Sequence, residues 1–277
     1  MKIIKTTEIS DAVYEMFDGI CCNVDLSARK ALLEAEAKES HTLGKWALTI
    51  MNKNIEMASE KHIAACQDTG MAVVFLEIGS EVYIDGNIEE AVNSGVRKAY
   101  DKYFRKSVLD PITRLNTKDN TPAVIHYEIT KGDTLKISAM AKGFGSENMS
   151  GLYMLTPADG VEGIKKAVID RVRRSGGSAC PPLIVGVGIG GTMEKAALLA
   201  KKSLMRDVGS LNARDDIRKL EKEILDEINS TRIGAQGFGG DTTALAVFIE
   251  TYPTHIAGLP VAVNIQCHCS RHAVRVF

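Results

Sequence analysis

The 277-residue chain has a single tryptophan, seven prolines and only 5% aromatic residues. It lacks an excess of either charge: 34 Lys and Arg stand against 35 Asp and Glu, for a net charge of -1. That balance excludes a general attraction to nucleic acid or to an anionic membrane. The basic run "RVRR" at 171–174 reads as a solvated helix face. No apolar run approaches the roughly 20 residues of a spanning helix. The start, "MKIIKTTEISDAVYEMF", has no long apolar stretch followed by a small-residue cleavage site. A cytoplasmic location follows as the expectation, with neither nucleic acid nor membrane as partner. Six cysteines are too few and too dispersed for a disulfide scaffold, and a reducing compartment keeps them as thiols. No repeat and no low-complexity tract is present.

The composition is 45% hydrophobic and 25% charged, enough for a sizeable core. Apolar residues recur at helical spacing from Ile9 to about Lys38, with Ser10 or Asp11 as the N-cap. Gly19 and the stretch around "NVDLS" divide this into two helices. A further helix is expected from Thr42 to Ser59. "MAVVFLEIG" at 71–79 reads as a strand, and 88–106 returns to helical periodicity. "AVIHYEIT" and "TLKISAMA" flank "KGD" and predict a hairpin. "GVEGIKKAVIDRVRRSG" is a helix closed by Gly176–Gly177. "PPLIVGVGIGG" is a buried strand running into glycines, followed by the helices "TMEKAALLAKKSLM" and "RDDIRKLEKEILDEINS". "TTALAVFIETY" and "GLPVAVNIQ" are strands. The interleaving argues for an α/β or mixed α+β fold. It has a helical N-terminal region and two lobes, 1–145 and 146–277, within one domain spanning 1–277.

Three glycine clusters stand out: "KGFGSEN", "GVGIGGT" and "GAQGFGGDTT". The spacing from Gly186 to Gly191 formally matches a dinucleotide fingerprint, and strand, turn and helix come in the right order. The acidic residue expected on a following strand is missing, because "MRDVGSLNARDD" reads as a helix connection. Backbone approach to an anion and tight packing of turns both remain open for these glycines.

Cys21 and Cys22 lie in a helical stretch and read as small buried residues. Cys66 in "AACQDTGMA", Cys180 in "SACPP" and Cys267 in "NIQCHCSRHA" fall at turns or strand ends. They are far apart in sequence, whereas zinc ribbons and electron-transfer ferredoxins draw ligands from short local motifs. Spacing alone therefore leaves three buried thiols and three converging ligands equally open.

The longer motifs carry more. "ACQDTG", "KGFGSENMSGLYMLTPADG", "ACPPLIVGVGIGGTMEKAALLAKKSL", "IGAQGFGGDTTALAVFIE" and "THIAGLPVAVNIQCHCSRHA" resemble the iron–sulfur (class I) fumarate hydratases over nearly the whole chain. They resemble most the α subunit of the two-subunit form, with the L(+)-tartrate dehydratase α subunit as a near relative. The resemblance implies a [4Fe–4S] cluster on Cys66, Cys180 and Cys267, held by loops between the lobes. Its fourth iron carries no thiolate and serves as a Lewis acid. It implies that Gln67 and Asp68 reach the substrate or its hydroxyl, that Arg105 clamps a carboxylate through its bidentate fork, that Gly145 offers a backbone N–H, and that His255 contacts substrate. Gln67, Asp68 and His255 are the expected catalytic groups. The substrate is a fumarate/malate-type dicarboxylate. The proton-abstracting residue and further cationic clamps are expected on a separate β subunit, in an α2β2 assembly. Cys269, His268 and His272 are expected to pack around Cys267 rather than to ligate. Phe144, where many relatives have glycine, and "STRIG" before "AQGFGG" depart from the pattern. A metal-bound scaffold that turns over nothing is the rival reading of the same cysteines.

Overall fold

The computed structural model describes residues 2–101 and 104–277. In chain order the elements are β1 (Lys2–Lys5), α1 (Thr6–Cys22), α2 (Leu26–Lys38), α3 (Thr42–Lys61), β2 (Met71–Gly79), β3 (Val82–Asp85) and α4 (Ile88–Tyr100). Next come β4 (Val124–Thr130), β5 (Leu135–Lys142), the single turn α5 (Phe144–Glu147), β6 (Gly151–Leu155), α6 (Gly160–Ser175) and β7 (Leu183–Gly190). The chain continues through α7 (Met193–Ser203), α8 (Asp215–Ser230), β8 (Ala244–Tyr252), β9 (Leu259–Gln266) and β10 (His272–Val276). The mixed α/β class expected from the interleaving is the one adopted.

Contacts divide the chain into two compact units. The first holds the chain up to Asp25, Ile55–Phe144 and Arg271–Phe277; the second holds Leu26–Asn54 and Gly145–Ser270. A cut into 1–145 and 146–277 therefore does not describe them. The tail joins the first unit because β10 pairs antiparallel with β5, from His272 against Met140 to Val276 against Lys136. Residues 26–54 join the second because the Glu39 carboxylate accepts the N–H groups of Asp241 and Thr242.

In the first unit the sheet order is β10-β5-β2-β4, beside a parallel β1-β3 pair. The expected hairpin is wrong in its pairing. The two strands form, but β2 lies between them, parallel to β4 and antiparallel to β5. β2 is almost continuously apolar, the pattern of an inner strand, and its central position pairs both of its edges. Helix α1 starts at Thr6, earlier than the expected cap at Ser10 or Asp11. Residues 2–5 are used as a strand, and the Glu8 carboxylate accepts the Lys5 N–H at 2.9 Å. Ser10 is buried against α4 instead, where a Cβ on Gly95 would stand 2.5 Å from the Ser10 carbonyl oxygen. Val13, Phe17, Val92, Val96, Tyr100, Leu76 and Ile137 form the core. The helix expected over 88–106 ends at Tyr100; residues 102 and 103 lie outside the described residues, and Arg105 follows in a loop.

In the second unit the order is β6-β9-β7-β8, with β7 and β8 parallel and the other pairs antiparallel. All eight residues of β7 are buried. Its glycines have a packing cause. A Cβ on Gly186 would lie 2.2 Å from the Ala200 carbonyl oxygen, and one on Gly188 would lie 2.0 Å from that of Ala196. Helix α7 thus rests directly on the strand backbone, and this close approach accounts for "GVGIG" without a nucleotide. Helices α6 and α8 supply Ile164, Val168, Val172, Ile224 and Ile228 to the core. Strand β8 lies at the edge, and side chains occupy ladder groups at its start and just past its middle. Asn229 takes the Ala244 N–H and gives to its carbonyl, while Glu221 takes the Ile249 N–H and Asn212 gives to its carbonyl.

Gly188→Ala should therefore destabilise the chain by about 3 kcal/mol through overpacking against backbone. Gly19→Ala, whose Cβ would meet nothing within 4 Å inside α1, should stabilise by about 0.5–1 kcal/mol. Urea unfolding of the two variants checks the opposite signs.

Candidate active site

Each cysteine's setting differs. Cys21, Cys22 and Cys269 are buried, whereas Cys66 and Cys267 are half-buried and Cys180 is exposed. Burial pushes the Cys21 thiol up and takes that of Cys22 up to about 11, so neither is ready to ionise. The three accessible thiols are the three singled out in the sequence. A donor set of three accessible cysteines in turns fits an iron–sulfur group with one iron free of thiolate.

In the first unit, Cys66, Gln67 and Asp68 form the turn between α3 and β2. Gly70 closes it at φ +78, where a Cβ would stand 2.8 Å from the Ala141 backbone. Each Asp68 carboxylate oxygen takes one backbone N–H: Oδ1 from Gly70 at 3.0 Å and Oδ2 from Phe144 at 2.7 Å. The carboxylate is thereby held in one orientation and ties the turn to the start of α5. A Cβ on Gly143 would be 3.2 Å from Asp68 Oδ2 and 3.5 Å from the guanidinium of Arg271, which is itself buried. Buried Lys142 donates to the Gly143 carbonyl at 3.1 Å.

The same turn carries Arg105. The Thr69 hydroxyl donates to the Arg105 carbonyl at 2.7 Å, and Asn120 Nδ2 donates to it at 3.0 Å. The Tyr100 hydroxyl donates to the Thr69 carbonyl at 3.1 Å. Burial, first of all, pushes the Tyr100 phenol well above its usual range, so it remains a donor. The backbone at Arg105 is thus fixed beside Thr69, with its side chain exposed. The structure brings Cys66, Gln67, Asp68 and Arg105 into one neighbourhood. Thr69, Tyr100, Asn120 and Lys142 escaped the sequence reading. Only the burial of a polar residue marks them, and burial is not visible in a loop or at the end of an element.

In the second unit, Cys180 and Cys267 share one end of the sheet. Cys180 precedes β7 and Cys267 follows β9, and the antiparallel register sets Ile184 opposite Gln266. Cys180 has φ 54, a left-handed conformation, and its N–H donates to Gly177. His268 grips the Cys180 carbonyl with its backbone N–H at 3.4 Å and its ring Nδ1 at 3.0 Å, which makes Nδ1 the protonated ring nitrogen. Gln236 donates to the Pro181 carbonyl through its backbone N–H at 2.8 Å and through Nε2 at 3.3 Å. Behind it, the buried Glu39 carboxylate accepts from His41, Asp241 and Thr242, closing the glycine-rich loop over 234–243. Gly145 is exposed in α5. His272 opens β10, with Nε2 3.7 Å from an Asp25 oxygen.

Within the second unit, His255 is not brought to Cys180 and Cys267. It follows β8, at the end of the sheet where Gly190 pairs with Tyr252. Eight residues of β7, about 25 Å, separate that end from Cys180. There His255 lines a cleft of about 420 Å³ with Gly191, Thr192, Glu194, Lys195 and Tyr252. Its Nδ1 accepts the Ala257 N–H at 3.2 Å.

In the first unit one turn carries an accessible thiol, an amide and a carboxylate beside an arginine whose backbone is fixed; in the second, two accessible thiols share one sheet end. A model of the fumarate hydratase (Fumerase) family matches residues 10–276. A protein named putative L(+)-tartrate dehydratase subunit alpha from Methanocaldococcus jannaschii is 43% identical over 276 residues, covering 97% of both chains. The L(+)-tartrate dehydratase subunit alpha of Escherichia coli (strain K12) is 30% identical over 245 residues, covering 87% of this chain and 81% of its own. The chain belongs to the fumarate hydratase (Fumerase) family and is a hydro-lyase, which sets the inert scaffold reading aside. No helix among the described residues is long and apolar enough to cross a membrane.

The loop behind Cys180 carries its own pH signature. The hydroxyl and backbone N–H of Ser40, with Arg232 alongside, hold the Asp241 carboxyl down at about 2. Its stabilising effect is complete above the unfolded value of about 3.9 and is lost as pH falls toward 2. Asp241→Asn should flatten that part of the stability profile, as measured by urea unfolding between pH 5 and pH 2.5.

Proposed function

We propose that this chain is the α subunit of an iron–sulfur hydro-lyase that interconverts fumarate and (S)-malate together with a separate β subunit. The observation that carries this is the family match over residues 10–276, joined to a donor set in which Cys66, Cys180 and Cys267 are the accessible thiols. These three would hold a [4Fe–4S] cluster. When bound, it supplies an open iron that acts as Lewis acid on the substrate hydroxyl and a carboxylate. The "subunit alpha" names of the relatives support the β partner, and an α2β2 assembly is the proposed form.

Dehydration of malate removes a proton next to one carboxylate and a hydroxyl from the neighbouring carbon. Negative charge grows on that carboxylate as the proton leaves, so cations and N–H donors must already be aimed at it. Arg105, anchored through its backbone, would clamp a carboxylate. Gln67 and Asp68 flank the substrate hydroxyl. Asp68 is held by two N–H groups and acts from a fixed position. Gly145 offers its N–H. A Cβ there would meet nothing nearer than the Ser178 carbonyl oxygen at 3.9 Å, so packing does not demand the glycine and close approach of a ligand supplies the reason. The base that takes the carbon-bound proton belongs to the β subunit. His255, at the far end of its sheet, would touch this substrate from a second α chain of the assembly.

The second reading, L(+)-tartrate as substrate, is favoured by the names of both relatives. The two dicarboxylates differ by one hydroxyl, which a site with a matching polar group separates strongly. Comparison of kcat/KM for fumarate, (S)-malate, L(+)-tartrate and mesaconate, on anaerobically reconstituted α and β chains, decides the substrate.

Cys66→Ser, Cys180→Ser and Cys267→Ser should each abolish turnover; full activity in Cys180→Ser would sink the proposal. Gly145→Ala should keep the melting temperature and raise KM. An unchanged KM removes Gly145 from the site.

A further inference from the structure

We propose that Gln266 is a positioning residue that fixes the Cys267 sulfur and donates an N–H···S hydrogen bond to it, an inference that rests on the cluster reading above. Gln266 is the last residue of β9 and is only 2% exposed. Its side-chain nitrogen donates to the Cys269 carbonyl at 3.1 Å and reaches the Cys267 carbonyl at 3.4 Å and the Cys267 sulfur at 3.5 Å. The reversed amide would point its oxygen at two carbonyls and a sulfur, all electron-rich, so the nitrogen belongs on that side.

The other end of the amide sharpens the case. Gln266 Oε1 is buried and has no hydrogen-bond partner among the described residues. A buried acceptor left in that state costs about 1–3 kcal/mol. An apolar side chain of the same length would avoid this cost and still fill the space against Ile184. What it could not supply is the pair of amide hydrogens. The polar side chain is therefore explained by its donor end, which faces one cysteine sulfur and the two carbonyls that set the course of the chain around it.

Hydrogen bonds to cysteine sulfur are among the factors that set the reduction potential of an iron–sulfur cluster, and outer-shell partners orient a ligand before it binds. With a thiolate at Cys267, the N–H···S bond withdraws electron density from the sulfur. Reduction of the cluster is then easier than without it. The same bond holds the side chain of Cys267 in place while the cluster is assembled.

The test uses the α chain co-produced with its β subunit and reconstituted anaerobically, as wild type, Gln266→Met and Gln266→Leu. Iron and sulfide content, the midpoint potential of the cluster by EPR-monitored titration, and the melting temperature are measured on each. The expected result is a more negative midpoint potential and cluster retention in air about 10-fold poorer, in variants that melt as folded proteins. Wild type labelled with ¹⁵N in the glutamine side-chain amide should in addition show a ¹⁵N hyperfine coupling to the reduced cluster, which needs no variant to fold. Unchanged potential and retention in the variants, or absence of that coupling in the wild type, overturns the proposal. A wild-type complex that takes up no iron and sulfide refutes the cluster reading itself.

Discussion

The second unit depends on a strand with no room for side chains on one face. Helix α7 lies so close to β7 that Gly186 and Gly188 have backbone carbonyls where a Cβ would be. With α7 pressed down on that side, the other face is filled by aliphatic residues from α6 and α8, and all of β7 is buried. A strand fully covered in this way cannot slip its register without exposing its apolar residues. The fixed register then determines what stands at its ends. Ile184 is held opposite Gln266, so the chain before β7 and the chain after β9 emerge side by side, and each carries an accessible cysteine.

Around those cysteines the work is done by hydrogen bonds to main-chain carbonyls rather than by ion pairs. The carbonyls of Cys180, Pro181, Cys267 and Cys269 are each met by a side-chain donor from His268, Gln236 or Gln266. The turn at Cys66 follows the same rule, with Thr69 and Asn120 converging on the Arg105 carbonyl. Such bonds are individually worth about 1 kcal/mol. Their value is positional: a turn in an unusual conformation, such as the left-handed Cys180, stays put only if its neighbours over-determine it.

Much of this was legible from the sequence alone. Strand β2 was expected at its observed bounds, and the first helical stretch divides at "NVDLS" as expected, although Gly19 itself lies inside α1. The accessible cysteines were those with a polar turn or a strand end beside them, because local chemistry leaves a trace in local sequence. What failed was long-range. A short "KGD" connection suggested that β4 and β5 pair, yet nothing local could reveal that β2 inserts between them. The position of His255 at the far end of the sheet is likewise a matter of strand direction, which no motif records. Gln266 and Glu39 were missed because a glutamine at a strand end and a glutamate at a helix end look ordinary until their burial is known.

The side chains that occupy the edge of β8 have a consequence for the newly made chain. Asn229, Glu221 and Asn212 take up the backbone groups of Ala244 and Ile249 that another strand would otherwise claim. Bare edges are where newly made sheet proteins stick to one another. By occupying these backbone groups with its own amides and carboxylate, the chain withholds them from a second strand.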